Sequence, residues 1–403
     1  MTGSARRLGL MVLCLSGVLA TVAAINWIVN PYGAWRSAMF DPVYRFARTT
    51  HNEADERVTI AYRMRVEQPT TLLVGSSRVL VGMYMDRATR DGFFNASMSG
   101  ASVAEISAVL RLARANPRLK RVIWGVDFYA FERRFVGFRH PETRVRLEGD
   151  ERQMMAMRIK ETLLSLRALG DSWEVIRRAA SGQEPGPYAG PVPWPEETIR
   201  ARLADLEPGL AQADEASLRA QLRVWIINYS DYQPADSLDD LFRKTVADLR
   251  AAGVDVIVFV PPLSRCELEA IDQAGSWGAF QAWKRRLLQV GPYRDFSGFG
   301  KLAGMSSLFL DVPHFRPAVG QVILRELIGQ DCAGCGAAAD IVRETGVRVD
   351  EATIEAHLAQ QEAARRAARP AGDRCARVVG EMLAERGSAA RTGGDHVPAP
   401  GNR

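Results

Sequence analysis

The stretch Thr71-Leu-Leu-Val-Gly-Ser-Ser-Arg78 joins a short apolar run to a turn that contains two serines. Four other runs are similar in length and in their content of Val, Ile, Leu or Phe. Together the five runs are Thr71–Val74, Gly92–Asn95, Arg121–Gly125, Val254–Val260 and Ser307–Asp311. Continuous apolar runs of this length are typical of strands that are buried on both faces of a parallel sheet. The sequence therefore predicts five strands of one sheet.

The segments between these runs have helical periodicity. The clearest is Val103–Ala115, in which apolar residues recur at the spacing of one helix face. Ser102-Val-Ala-Glu105 has the pattern of a capping box at its start, and Asn116-Pro117 ends it. Strands that alternate with helices predict an α/β fold with a mostly parallel sheet.

The third and fourth runs are separated by far more residues than one crossover helix needs. We expect an insertion, at about residues 131–248, that forms a cap over one end of the sheet. Asp150–Leu169 and Glu196–Trp225 have helical periodicity within it. The Pro/Gly-rich loop Glu184–Pro195 carries Tyr188 and Trp194, and it is either a connector or part of a carbohydrate groove.

The N-terminus has the composition of a membrane segment. Leu8–Ile25 contains no charge, and the apolar stretch that begins there is long enough to span a bilayer. Arg6 and Arg7 precede it, as at the cytoplasmic end of a signal anchor. The alternative is a cleaved signal peptide, with Val22 and Ala24 before the cut. Trp27 and the length of the run favour retention.

We therefore expect four regions: a signal-anchor helix (1–30), a connector (31–68), an α/β domain (69–330) and an Ala/Arg-rich tail (331–403), disordered from Arg386. With Arg6 and Arg7 on the cytoplasmic side, the remainder of the chain is predicted to be exported across the membrane. The membrane is thus the first predicted partner.

The composition excludes several classes of protein. The chain has 403 residues, 47% of them apolar and 25% charged, which is ordinary for a globular protein and unlike a collagen or a fully disordered chain. Its net charge is +5, and no basic stripe with interleaved aromatics occurs, so we expect no nucleic-acid partner. The histidines lack metal-ligand spacing, so no metal is expected.

The cysteines have a different meaning in an oxidising compartment. Cys266, Cys332, Cys335 and Cys375 form an even set that can pair there. We expect Cys332 and Cys335 to belong to a structural disulfide, and the alternative is a redox site at that pair.

Polar and small residues follow several of the predicted strands. In an open α/β sheet, ligands bind beyond the carboxyl ends of the strands. The residues at these positions are Gly75-Ser76-Ser77, Asn95 with Ser99-Gly100, Asp127, and Asp311-Val-Pro-His314.

This ordered set resembles the SGNH (GDSL-type) hydrolase superfamily. The resemblance covers Gly75 to His314 and implies a flavodoxin-like three-layer sandwich. It implies Ser77 as nucleophile, with Ser76 in place of the family's aspartate and as the fallback nucleophile. Asp311 and His314 match the family's Asp-x-x-His block.

Each role has a chemical reason. A serine hydroxyl is a weak nucleophile until a base accepts its proton, and histidine exchanges protons near neutral pH. His314 is therefore the predicted base, with Asp311 orienting its ring. The backbone N–H groups of Ser77 and Gly100 are the predicted oxyanion donors.

The chain departs from the family at Asp127, where an asparagine normally donates to the oxyanion. An ionised carboxylate cannot donate a hydrogen bond. Asp127 is therefore a doubtful third donor: either it is protonated, or it fixes Arg78 in an ion pair. Arg78 itself is predicted either to bind an anionic group of a substrate or to form an ordinary salt bridge.

The arrangement of anchor, Gly-Ser-Ser and late Asp-x-x-His is similar to that of cell-envelope proteins such as the D-alanyl transfer protein of teichoic acids and the alginate O-acetylation proteins. The resemblance implies an exported serine esterase or O-acyltransferase that needs no cofactor and acts on an acylated cell-envelope glycan or exopolysaccharide. It also implies a single-pass protein of a bacterial inner membrane, with the catalytic domain in the periplasm. Envelope polysaccharide-assembly proteins are further expected partners. The alternative is a non-catalytic SGNH-like protein that binds polysaccharide or acts as an assembly scaffold.

Overall fold

The computed structural model describes residues 3–35, 53–83, 92–181, 196–206, 209–330, 332–368 and 372–391. The chain divides into two compact units. The first unit comprises Met1–Pro195 and Asp236–Val258, and the second comprises Glu196–Ala235 and Phe259–Arg403. The predicted α/β domain, 69–330, therefore contributes residues to both units.

The strands form a single mostly parallel sheet, as predicted. They are β1 (Thr71–Val74), β2 (Phe93–Asn95), β3 (Arg121–Gly125), β4 (Asp255–Val260), β5 (Tyr293–Asp295) and β6 (Val347–Val349). Their order in the sheet is β2-β1-β3-β4-β5-β6. β1 pairs in parallel with β2 and β3, and β4 in parallel with β5, whereas β6 is antiparallel to β5.

Four of the five predicted strands are confirmed, and the fifth, Ser307–Asp311, is wrong. Ser306–Leu308 is a 3₁₀ turn, and Phe309 then pairs with Phe315 in an isolated antiparallel bridge. Leu308 and Phe309 are buried, so this apolar run fills the interior of its unit without joining the sheet. Periodicity alone cannot distinguish these two uses of a short apolar run.

Helices account for most of the described residues. In chain order they are α1 (Gly3–Val29), α2 (Glu53–Glu67), α3 (Ser77–Gly82), α4 (Val103–Arg114), α5 (Pro141–Glu148), α6 (Glu151–Thr162), α7 (Leu166–Ser181), α8 (Glu196–Ala204), α9 (Glu215–Tyr229), α10 (Asp236–Ala251), α11 (Arg265–Gln273), α12 (Trp277–Leu287), α13 (Lys301–Gly304), α14 (Pro317–Leu327), α15 (Ala337–Thr345), α16 (Ile354–Ala367) and α17 (Arg374–Arg391).

The first unit is built around β1 and β3. The side chains of β1 are buried at every position, as expected for a central parallel strand. α4 begins with the predicted capping box, because the Ser102 hydroxyl accepts from the Glu105 N–H and the Glu105 carboxylate accepts from the Ser102 N–H. α4 packs on α10, and Phe242 of α10 contacts Trp124 of β3 edge to face.

α1 is the apolar N-terminal helix that the sequence predicted. Its segment Ser4–Val29 has a mean hydropathy of 2.4 and is long and apolar enough to cross a membrane. The last turns of α1 pack against α7 within the first unit. The predicted connector, 31–68, contains α2, whose residues from Glu56 to Met64 are buried.

The second unit contains the C-terminal part of the chain. The region expected to be a tail carries α15, β6, α16 and α17. Cys266 of α11 is bonded to Cys375 of α17, and Cys332 is bonded to Cys335 as expected. The expected disorder from Arg386 is wrong for residues 386–391, which belong to α17. Residues 392–403 and the predicted loop 184–195 lie outside the described residues.

Candidate functional site

A tight turn after β1 presents the two serines. A Cβ on Gly75 would collide with Val79 and approach the carbonyl of Gly125, so the backbone requires glycine there. Ser76 is the N-cap of α3, and its hydroxyl accepts from the Arg78 N–H at 3.2 Å. Ser77 is therefore the first residue of α3.

The two serines differ in their surroundings. Ser76 is buried, and its hydroxyl is hydrogen bonded both to the Arg78 N–H and to the phenol of Tyr129. Ser77 is half-buried, and within the described part of the chain its hydroxyl makes no hydrogen bond. Ser76 thus has a structural role as a helix cap, whereas Ser77 is available for chemistry.

Asp127 holds Arg78 in a buried ion pair, one of the two roles considered for it. The Arg78 guanidinium donates to Asp127 Oδ1 and lies over the ring of Tyr129, with its Cζ 5.5 Å from the centroid. Both charged side chains are almost fully buried. Burial raises the pKa of Tyr129, and the neighbouring Asp127 carboxylate adds to this, while Arg78 opposes it.

Two predictions change in the light of this ion pair. A carboxylate that accepts from Arg78 is not a donor, so Asp127 does not serve as the third oxyanion donor. Arg78 is buried and has an internal counter-ion, which favours the ordinary salt bridge over the binding of an anionic substrate.

The loop after β2 holds Gly100 in a conformation that requires glycine. Its φ is +58°, and a Cβ at this position would collide with the guanidinium of Arg139. Asn95, at the end of β2, donates to the Val79 carbonyl at 3.2 Å and accepts from the Ser97 N–H at 3.1 Å. Asn95 thus ties this loop to α3.

α2 braces the same loop through two buried charged residues. Glu56 accepts from the N–H and the hydroxyl of Ser99, at 2.6 and 2.8 Å. Arg57 makes a bidentate ion pair with Glu105, at 2.7 and 2.9 Å, and also donates to the Ser99 carbonyl. The residue before Gly100 is therefore fixed on both sides.

Glu56, Arg57 and Arg139 were missed by the sequence reasoning. Charged residues in a polar helix or loop look like a solvated surface unless their partners are known. The partners of Arg57 are more than 40 residues away along the chain, so no local sequence pattern predicts the contacts.

Asp311 and His314 lie at the tip of a tight hairpin in the second unit. Asp311 Oδ2 is 2.8 Å from His314 Nδ1, and its Oδ1 accepts from the His314 N–H at 2.9 Å. The Leu310 N–H donates back to the His314 carbonyl at 2.8 Å. The Asp-x-x-His spacing thus closes a short loop in which the carboxylate orients the ring.

Neighbouring helices hold this hairpin in place. The hydroxyl of Ser264, the N-cap of α11, donates to the Val312 carbonyl at 2.6 Å. The Val312 N–H donates to Gln221 of α9 at 2.9 Å. Because both backbone groups of Val312 are bonded, the hairpin that carries the imidazole is fixed to α9 and α11.

The second nitrogen of His314 has different surroundings from the first. Nε2 is buried and, among the described residues, has no hydrogen-bond partner. With Nδ1–H donating to Asp311, Nε2 carries the lone pair that can accept a proton from a hydroxyl. A buried polar atom without a partner is an exception that calls for a functional explanation.

His357, which the sequence reasoning did not single out, also has an acidic partner. Its Nε2 lies 2.9 Å from Asp295 Oδ2, at the end of β5. Lys284 Nζ is 2.7 Å from the same oxygen, and Ser297 donates twice to the other one. Burial alone would raise the pKa of Asp295, but the charge of Lys284 and the hydrogen bonds from His357 and Lys284 lower it below its ordinary value.

The predicted site residues thus fall into two groups. Ser77, Arg78, Gly100 and Asp127 belong to the first unit, and Asp311 and His314 belong to the second. Contacts join Arg78 to Asp127 and Asp311 to His314.

Comparison of the chain with protein-family models and with curated proteins gives no match. Membership of the SGNH superfamily therefore stays a prediction from the motifs.

Proposed function

We propose that this protein is an exported serine esterase or O-acyltransferase of the SGNH type, anchored in a membrane by α1. The observation that carries the proposal is His314, whose Nδ1 is held by Asp311 and whose buried Nε2 has no partner in the described ranges. This arrangement is what a general base for a serine hydroxyl requires. The order 2-1-3-4-5 of the first five strands, which is that of flavodoxin-like folds, supports the proposed three-layer sandwich.

The reaction would proceed through an acyl-serine. Ser77 Oγ attacks the carbonyl carbon of an ester while its proton passes to His314 Nε2. The negative charge on the carbonyl oxygen is stabilised by the N–H groups of Ser77 and Gly100. The C–O bond to the leaving alcohol then breaks, and that oxygen takes the proton from His314. Water or a sugar hydroxyl attacks the acyl-serine in the second half, with His314 again as the base.

Arg139 is our proposal for the third group that stabilises the oxyanion, in place of Asp127. Its guanidinium lies against Gly100, and it is always charged and donates from several N–H groups. One donor of this kind is commonly worth about 3–4 kcal/mol of transition-state stabilisation. The site can thus keep its electrostatic function without the usual asparagine.

The substrate and location follow from the resemblance and from the envelope features of the chain. We propose an acylated cell-envelope glycan or exopolysaccharide as substrate, in the periplasm of a bacterium. Two disulfides support an oxidising compartment. Val22 and Asn26, on either side of the predicted cleavage position, are buried, which supports retention of α1.

The test is labelling of the full chain by a fluorophosphonate, which reacts only with an activated serine. We expect labelling of the wild type, with the label on the peptide that contains Ser77. Ser77→Ala should abolish labelling, and His314→Ala should lower its rate about 10²–10⁴-fold. Arg139→Ala should slow labelling, and Ser76→Ala is the matched control that should retain it. A folded wild type that takes no label, or label that persists in Ser77→Ala, would contradict the proposal.

The second candidate is a non-catalytic SGNH-like protein that binds polysaccharide or acts as a scaffold for envelope assembly proteins. The observation in its favour is the carboxylate of Asp127 where the family has a donating asparagine. It predicts glycan binding that is unchanged by Ser77→Ala, together with the absence of fluorophosphonate labelling. The redox alternative is not proposed, since Cys332 and Cys335 are bonded to each other and buried.

A further inference from the structure

The end of α1 is hydrogen bonded to the turn between α6 and α7. The Asn26 side chain donates to the carbonyls of Leu163 and Ser165, at 2.9 and 3.1 Å. Its Oδ1 accepts from the Ser172 hydroxyl at 3.0 Å. Asn26 is fully buried, so these three bonds fix α7 to one level of α1.

That level is close to the surface of a bilayer that α1 spans. The uncharged run of α1 begins at Leu8. A hydrocarbon core of about 30 Å takes up about 20 helical residues, at about 1.5 Å each. Counted from Leu8, the span ends near Trp27, one residue beyond Asn26. The α6–α7 turn is therefore held at the boundary between acyl chains and headgroups.

The same turn exposes large apolar side chains. Leu166 is 76% exposed and Trp173 is 68% exposed, and Leu164 is exposed beside them. Leu166 and Trp173 are seven residues apart, which places them on one face of α7. Ala168, Ser172 and Val175, on the other face, are buried, so the exposed face is not the one that packs on α1.

Exposed apolar side chains of this size are concentrated in this segment. Beyond α1, nine large apolar residues in the described ranges are exposed, and five of them lie between Met155 and Trp173. The nine are Val136, Val145, Met155, Ile159, Leu164, Leu166, Trp173, Val224 and Leu310. Scattered apolar residues need no explanation, but a cluster beside a membrane helix does.

We propose that the face formed by Leu164, Leu166 and Trp173 lies in the interfacial layer of the bilayer, as a second membrane contact beside α1. A lipid surface fits this face because Ile25 and Trp27, on either side of Asn26, are apolar and exposed at the same level of α1. Tryptophan favours this layer, since its ring is apolar and its N–H is polar. Exposed Arg167, next to Leu166, adds a positive charge at headgroup level.

The consequence is a fixed orientation of the first unit on the membrane. One helix alone leaves the attached unit free to turn about the helix axis. Contact at a second element removes that freedom. The inference depends on insertion of α1 and is independent of the proposed acyl chemistry.

The test uses the full chain in vesicles of phosphatidylcholine and phosphatidylglycerol. Leu166→Cys and, separately, Trp173→Cys are made in a Cys14→Ser background and labelled with nitrobenzoxadiazole, while the disulfides stay oxidised. Lipid brominated near the top of its acyl chains then quenches any label that lies in the interfacial layer. Val136→Cys is the matched control, an exposed apolar residue of the same unit outside this face.

We expect several-fold stronger quenching at positions 166 and 173 than at position 136. A label at Leu166→Cys that is water-exposed and unquenched would overturn the proposal. A label that is shielded but unquenched would also overturn it, because the face would then be covered by protein. Label on the native Cys14 reports insertion of α1 separately, so failure of the anchor is distinguished from failure of this face.

Discussion

The second unit contains two histidine–aspartate pairs with opposite surroundings. In the hairpin pair, Asp311–His314, one imidazole nitrogen is oriented by the carboxylate and the other has no partner in the described ranges. In the buried pair, Asp295–His357, the carboxylate also accepts from Ser297 and Lys284. A network in which the buried polar groups are hydrogen bonded to one another stabilises a fold. A buried nitrogen that is oriented but has no partner keeps a lone pair that can accept a proton. The comparison supports the chemical role proposed for the first pair and predicts a role in stability for the second.

The largest expected effect is on reactivity at the hairpin pair. His314→Ala should lower the rate of fluorophosphonate labelling about 10²–10⁴-fold, because a general base contributes that much. The readout is the labelling rate at saturating probe, with unfolding by urea measured beside it. The matched control is His357→Ala, which should change stability more than rate. If both variants lost labelling equally while folded, the division of roles would be wrong.

Substitutions in the buried pair, Asp295–His357, should lower the free energy of unfolding. Asp295→Asn removes the negative charge that compensates buried Lys284, which should lower the free energy of unfolding by about 3–5 kcal/mol. Urea unfolding followed by tryptophan fluorescence measures this. Asp311→Asn, at a partly exposed position, should cost less than about 1 kcal/mol. Equal losses in the two variants would remove the distinction between the pairs.

The smallest effect is the pH dependence of stability at the buried pair. Burial alone would raise the pKa of Asp295. Lys284 and His357 outweigh burial, so this pKa is lowered in the folded state. In the unfolded chain, the pKa of an aspartate is about 3.9. Ionised Asp295 therefore stabilises the folded state fully above that pH. This contribution is lost as pH falls from about 4 through the lower folded value. Unfolding midpoints measured from neutral to acid pH should therefore fall less steeply in Asp295→Asn than in the wild type.

The fold was predictable where the pattern is local. β1 to β4 are long enough and apolar enough to be recognised, and the capping box of α4 lies within four residues. β5 and β6 have three residues each with Arg in the middle, and β5 ends in Asp, so no apolar run marks them as strands. Their pairing depends on neighbours that are distant in the chain.

The site divides in the same way. Ser77 and the Asp311–His314 hairpin could be predicted because each motif is compact in sequence. Asp295 and His357 are 62 residues apart, and only the folded chain brings them together. The ion pair of Arg78 and Asp127 was foreseen as an alternative because a single substitution in the family pattern raised the question.

The disulfide between Cys266 and Cys375 connects the end of the chain to the hairpin of His314. Ser264, two residues before Cys266, is both the N-cap of α11 and the donor that holds Val312. α17 is therefore covalently linked to the helix on which the hairpin depends. In genetic terms, a nonsense codon shortly before position 375 leaves every motif residue encoded, yet it removes the cross-link and the last helix. Such an allele is expected to weaken the support of the Asp311–His314 hairpin, and its effect is more than the loss of a tail.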